Sequence, residues 1–299
     1  MRWVSVASAA GWAMGAAARA QVLHDNGPLV TIPPGACLPV GGMASEVQAQ
    51  NSITGFAQGG AYRVADDFTI VDPGGWTIDA MTHVSYQTGA TTPTITGVTV
   101  RIWSGRPGDA GSVVVWGDAT TNRLVAGTNA LTSVYRYYNQ TCGTTRRVQT
   151  GTAAIGVTLP PGTYWLDWAA TGTLGSGPWA VPVTITGLRG KPGANARQWD
   201  GTAWRDIFEG TPDTTPPLIA QDLVFELRGS VVAVPTCYAN CDMSTTTPVL
   251  NVNDFVCFTN LFAAGDPRAN CDGSTVPPVL NVNDFGCFTN RYAAGCSGP

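Results

Sequence analysis

Charge is scarce in this chain. Of 299 residues, 16 are Lys or Arg and 20 are Asp or Glu, 12% in all, about half the usual quarter. A single Lys, Lys191, accompanies scattered Arg, and the net charge is −4. No basic footprint for a polyphosphate follows, so nucleic acid is excluded as a partner. Histidine is nearly missing: only His24 and His83 occur, and neither accompanies a nucleophile-elbow motif, which disfavours a Ser hydrolase. Glutamate is almost as rare, limited to Glu46, Glu209 and Glu226. Glycoside hydrolysis requires two positioned carboxyl groups, one often buried with a raised pKa. Asp66, Asp67, Asp167 and Asp222 are the remaining candidates, and no pair presents a convincing acid and base.

What fills the sequence instead is 36 Gly and 21 Pro with frequent Thr, a composition of short strands joined by turns. Met1 and Arg2 precede a weakly apolar run, and Ala18-Arg19-Ala20 puts small residues where a signal peptidase reads. Residues 1–20 are therefore expected to be a signal peptide cleaved before Gln21. The run is too short and Ala-rich to span a bilayer and no second one follows, so no membrane span is expected after its removal. Export, to the cell surface or the medium, would put all eight Cys in an oxidising compartment, where disulfides are the default.

Residues 21–60 show no stable period and are expected to be an irregular lead-in. Residues 61–230 carry strand patterns: in Gly97–Trp103, Val98, Val100 and Ile102 alternate with Thr99, Arg101 and Trp103. Similar segments at 76–87, 112–116, 134–138, 155–159, 163–168, 179–186 and 221–227 predict a mainly β fold, an antiparallel, jelly-roll-like β-sandwich. A linker over 231–236 leads to a second module, 237–299. All ten Trp precede it or end at Trp204, and six of the eight Cys lie within it. Strand alternation sends some of Trp103, Trp116, Trp165, Trp168, Trp179, Trp199 and Trp204 outward, where flat sugar faces could stack. A polysaccharide is thus one expected partner of the sandwich.

The second module is a duplication. NCDMSTTTPVLNVNDFVCFTNLFAAG starts at Asn240, and NCDGSTVPPVLNVNDFGCFTNRYAAG starts at Asn270. Each copy gathers hard oxygen donors suited to calcium: Asn240, Asp242, Ser244, Asn251 and Asp254, then Asn270, Asp272, Ser274, Asn281 and Asp284. Val249 and Val279 could add a backbone carbonyl. Asn251 and Asn281 are expected to cap helices carrying Phe255, Phe258 and Phe262 in one copy and Phe285, Phe288 and Tyr292 in the other. Gly265 and Gly295 stop them.

At these residues, above all the tandem LNVNDF and the AAG closing each helix, the chain resembles a dockerin. This is the duplicated calcium-loop-and-helix module that docks onto cohesin domains, here in a Cys-bearing form similar to those of planctomycete-type exported proteins. The segments at 65–68, 101–105 and 162–168 likewise resemble exported bacterial β-sandwich proteins. The dockerin resemblance implies bound Ca²⁺ and a cohesin-type partner. It implies contact through Val252, Asn253, Thr259 and Asn260, or equally through Val282, Asn283, Thr289 and Asn290. The chain departs from the family pattern in three ways: Asn stands at the first donor position, no Gly matches the sharp turn, and Asn240 to Asp254 is about three residues longer than a twelve-residue calcium loop. Two carboxylates per loop imply weaker calcium binding.

Cys241 and Cys257 occupy the same places as Cys271 and Cys287, so each pair could join a loop to its own helix, worth about 3 kcal/mol in the chain-entropy model. Cys237 and Cys296 could then clasp the module, leaving Cys37 and Cys142 to the sandwich. A zinc site is the alternative, but close CxxC pairs and His ligands are missing. The functional expectation is an exported non-catalytic sandwich tethered through calcium to a cohesin-type partner. The alternatives are a secreted glycoside hydrolase carrying a dockerin, and a structural envelope or matrix protein.

Overall fold

The computed structural model describes residues 21–35, 38–47, 53–72, 74–138, 142–209, 218–232 and 237–296. The expected signal segment, 1–20, and Cys37 lie outside them. Strand makes up 39% of the described residues and helix 11%, so the protein is mainly β. Two compact units divide it. The larger holds the chain up to Phe68, Thr77–Thr158 and Thr163–Ser230; the smaller holds Thr69–Trp76, Leu159–Gly162 and the chain from Val231 on.

The strands in chain order are β1 (Gln21–Asp25), β2 (Met43–Ser45), β3 (Phe56–Ala57), β4 (Arg63–Ile70), β5 (Trp76–Tyr86), β6 (Ile95–Ser104), β7 (Val113–Gly117) and β8 (Ala130–Arg136). They continue as β9 (Arg147–Leu159), β10 (Gly162–Gly172), β11 (Trp179–Ala180), β12 (Arg197–Trp199), β13 (Trp204–Asp206), β14 (Phe208–Glu209), β15 (Ile219–Ala220) and β16 (Phe225–Val231). One sheet runs β1-β16-β5-β9-β8-β2, with β11 pairing β5 and β3; a second runs β13-β12-β4-β10-β6-β7; β14 and β15 form a small ladder.

Side-chain alternation explains the layers. On β6 and β10, Val98, Val100 and Ile102 lie opposite Ala170, Trp168 and Leu166 in antiparallel register, all buried. Their strand neighbours Thr99, Arg101 and Trp103 meet Ala169, Asp167 and Trp165 on the outer face. Trp168 lies 5.6 Å from the ring of Phe225 on β16, so apolar faces of the two sheets touch. On β5, Val84 and Tyr86 point away from His83 and Ser85 and join a further core with Val134, Val148, Val181, Val183 and Val224. β5 alternates buried Trp76 and Ile78 with Thr77 and Asp79 at its start and is buried on both faces only from His83 to Tyr86.

Two local expectations differ from what is found. Residues 21–60 contribute three strands: β1 pairs β16 antiparallel, with Gln21 opposite Gly229, and β2 pairs β8 in parallel, with Met43 opposite Val134. Strands this short carry no readable period; Leu29, Val30 and Met43 hold the segment by packing on the further core. The segment 179–186 is regular strand only at Trp179–Ala180. Beyond it Pro182, which has no N–H to donate, bridges Leu223 antiparallel, with the Val183 N–H on the Asp222 carbonyl and the Val224 N–H on the Val181 carbonyl, while Val181 and Val183 join the further core.

In the smaller unit, α1 (Val252–Ala263) and α2 (Val282–Ala294) start from Asn251 and Asn281 as N-caps. Asp254 and Asp284 complete a capping box in each. Gly265 and Gly295 follow the helices at φ 70° and 81°, the left-handed region that Gly enters without steric cost. Between the helices Phe258 and Phe288 stack at 4.2 Å and 13°. Phe285 stands edge-on to Phe258, and Phe255 edge-on to Phe288, both at 5.1 Å. Cys241–Cys257, Cys271–Cys287 and Cys237–Cys296 are disulfides, which removes their thiolates from any zinc site. The companion expectation for Cys37 falls outside the described residues; Cys142 Sγ lies 3.0 Å from the Tyr137 hydroxyl.

Candidate functional site

The paired loops of the smaller unit repeat one core arrangement. The Asn240 side-chain amide donates to the Ser244 carbonyl at 2.9 Å, and that of Asn270 to the Ser274 carbonyl at 2.8 Å. Asp242 Oδ1 accepts the Ser244 N–H at 2.9 Å, and Asp272 Oδ1 accepts the Ser274 N–H at 2.8 Å. These short bonds fold each loop so that its first, third and fifth residues close on one another.

The helix carboxylates reach back into the same loops. Asp254 accepts the N–H of Asn251 at 2.8 Å and of Asp242 at 3.3 Å. Asp284 accepts from Asn281 and Cys271 at 2.8 Å each and from Asp272 at 3.3 Å. Both side chains are fully buried. Burial works to raise the pKa of Asp284, but the backbone N–H groups of Asn281, Asp272 and Cys271 hold it below its ordinary value. It is a buried anion clamped by donors.

Not every expected donor points the same way. Asn251 and Asn281 give their side-chain oxygens to the N–H groups of Asn253 and Asn283, at 2.9 Å each, so these two act as helix caps. Ser244 Oγ accepts from the Thr246 N–H at 3.3 Å, whereas Ser274 Oγ contacts the Val276 carbonyl at 3.5 Å. Asn240 Oδ1 and Asn270 Oδ1 differ from all the others: each is buried and has no hydrogen-bond partner among the described residues. A buried acceptor left unpaired is costly, and finding one at the same place in both copies argues for a missing donor or cation. The donor set fits calcium: an orphaned amide oxygen, Asp242 or Asp272, and Asp254 or Asp284, all hard oxygen. No group of three or more His, Cys, Asp or Glu comes together among the described residues, so backbone carbonyls, amides and water would complete the coordination.

Of the expected partner-facing residues, Val252 and Val282 are 72% and 78% exposed, and Asn253, Thr259, Asn260, Asn283, Thr289 and Asn290 are exposed with them. The hydroxyls of Thr259 and Thr289 turn back to the carbonyls of Phe255 and Phe285, at 2.8 and 2.9 Å, leaving methyl groups to the surface.

The carboxylates of the larger unit are engaged internally. Asp167 is fully buried and takes Arg63 Nε and Arg101 Nε at 2.6 Å each and Trp103 Nε1 at 2.9 Å. Glu209 pairs with Arg189, and Asp222 with Lys191 at 2.9 Å. Asp66 is held well above its ordinary pKa by burial and by the charge of Asp222. It accepts from Asn26 Nδ2 and the Leu223 N–H at 2.7 Å each.

The aromatic supply is also largely occupied. Trp165 and Trp168 are buried, Arg101 covers Trp103 and Arg123 covers Trp116, and Trp179 stacks on Tyr86. Trp199 and Trp204, half-buried, face each other at 6.0 Å across the β12–β13 hairpin. The Asp200-Gly201 turn is the signal that could have located that hairpin in the sequence.

No helix among the described residues is long and apolar enough to cross a membrane. Comparison with protein-family models, with curated proteins and with solved structures returned no match for this chain.

Proposed function

We propose that this is an exported, non-catalytic β-sandwich protein of jelly-roll type, held by a calcium-binding, dockerin-like unit to a cohesin-type partner, with polysaccharide as the ligand of the sandwich. The observation that carries the reading is the unpartnered, buried Asn240 and Asn270 oxygen, at the same position in two successive loops that each carry two carboxylates. Bound calcium would supply the positive charge that lets each orphaned oxygen share a centre with the exposed and the buried carboxylate of its own loop. Asn240, Asp242 and Asp254 would hold it in one loop, and Asn270, Asp272 and Asp284 in the other. Each loop feeds directly into a helix whose exposed Val, Asn and Thr recur in the other copy, so two equivalent faces are available to one partner. Against hydrolysis stands the engagement of Asp167, Asp222 and Glu209 by basic side chains, since an acid and base must face substrate.

The test is calcium titration of the full chain by calorimetry, together with capture on immobilised cohesin domains with calcium or chelator. Saturable calcium binding, weakened in Asn240→Ala/Asn270→Ala, and capture lost on deleting 231–299 are expected. Capture that ignores both chelator and deletion would refute docking.

A further inference from the structure

Along the outer face of β6 and β10 the paired side chains shrink step by step: Trp103 with Trp165, Arg101 with Asp167, Thr99 with Ala169, Gly97 with Thr171. Where the bulk runs out the surface hollows into a cleft of about 320 Å³, at the small end of the range for ligand sites. Trp199 from β12 borders it on one side and the segment Ala119–Asn122 on another.

That border is held in advance. Asn122 Oδ1 accepts the N–H of Val98 and of Leu124 at 3.0 Å each, and its Nδ2 donates to the Thr96 carbonyl at 3.1 Å. Asp118 Oδ1 accepts the N–H groups of Thr120 and Thr121 at 2.8 and 2.6 Å. A wall fixed before binding loses little freedom on binding.

The chemistry of the lining selects a ligand class. Hydroxyls and an amide supply the polarity: Thr99, Thr120, Thr171 and Asn122. Each is fixed by one internal partner or more (Arg63, Asp118, Thr96 and backbone groups), and each keeps a further donor or acceptor position, since a hydroxyl has one donor and two acceptor sites and an amide NH₂ has two donors. The one charged residue, Arg63, is already bound to Asp167 at 2.6 Å and to Thr99 Oγ1 at 2.8 Å, and no acidic residue lines the cleft. A neutral, hydroxyl-rich ring with one apolar face satisfies both the polar lining and the indole. We infer that this cleft is the place where the sandwich binds a neutral sugar unit of a glycan chain. The inference rests on the polysaccharide reading above and is independent of calcium and of docking.

The full chain is titrated with neutral hexasaccharides of glucose, xylose and mannose and with an oligogalacturonate, alongside Trp199→Ala and Ala169→Leu. The second variant fills the hollow from its floor and leaves the indole in place; circular dichroism and melting confirm folding, and Ala169→Leu alone decides if Trp199→Ala fails to fold. Saturable binding of a neutral hexasaccharide, weakened about tenfold or more in the variants, is expected, the equivalent of losing one aromatic contact. Binding of none, preference for the acidic oligomer, or undiminished binding by Ala169→Leu overturns the inference. Cohesin capture is scored on the same preparations: capture without any sugar binding defeats the cleft and the polysaccharide reading together, sugar binding undiminished in Ala169→Leu defeats the cleft alone, and sugar binding without capture defeats the docking reading alone.

Discussion

The two units solve the same problem with different materials. The larger buries whole strand faces: Val98, Val100, Ile102, Leu166 and Phe225 are completely shielded from solvent, and polar groups enter its interior only where a partner or neutrality permits. The smaller has few apolar residues to bury, with Phe258 and Phe288 at its centre. It adds three disulfides and two buried carboxylates wired to loop N–H groups. The difference follows from size, because the disulfide-bonded segment 237–296, some sixty residues long, buries too small a fraction of its surface to stand on hydrophobic burial alone. Stability is therefore distributed in one unit and localised in the other.

The sharpest way to break this contrast is reduction. With dithiothreitol the smaller unit is expected to lose protection from hydrogen exchange throughout, since each bond contributes about 2–4 kcal/mol, while β5, β9 and β10 stay protected. Uniform loss across both units would show that the larger also hangs on its covalent links. Next in size is Phe288→Ala, expected to cost about 3–5 kcal/mol and to lower the melting of the α1–α2 unit only; differential scanning calorimetry resolves it.

A pH titration probes the larger unit instead. His83 is buried, 3.3 Å from Gln58 Oε1, and burial lowers its pKa from 6.5 to about 4. Its neutral form is the one the fold accommodates, so the stability it allows is full above pH 6.5 and falls as pH drops from 6.5 towards 4, by about 3 kcal/mol. His83→Gln should flatten that part of a urea-midpoint-against-pH curve; an unchanged slope would assign it elsewhere. The smallest effect distinguishes the repeats from each other. Met243 sits at φ 56°, and its counterpart Gly273 at 68°. Met243→Gly should stabilise the first loop by about 1 kcal/mol or less, because relief of the left-handed strain is partly offset by chain entropy. Gly273→Met should do the reverse in the second loop.

Legibility in the sequence divides along the same line. The smaller unit could be read residue by residue, since its determinants are local or repeated: Asn251 and Asp254 cap within one helical turn, and the copies announce the Cys pairing. The long strands were readable too, because β6 alternates over a full face. Short strands such as β2 and β3 carry no period, and the strand over 179–186 shortens to Trp179–Ala180 with a single bridge beyond it, Pro182 to Leu223. The cleft was invisible for another reason: Gly97, Asn122, Ala169 and Trp199 become neighbours only through sheet order, and Trp199 resembled six other Trp until register placed it. The sequence offered Asn251 and Asn281 both as helix caps and as cation donors, and only the structure separates the two, because both roles call for the same side-chain oxygen.

The Cys237–Cys296 bond spans 59 residues and encloses both repeats. Tension entering at Cys237 passes straight to the far end of the second repeat, so the loops and helices share a load rather than meeting it in series. A unit closed this way resists being peeled open from its ends one repeat at a time.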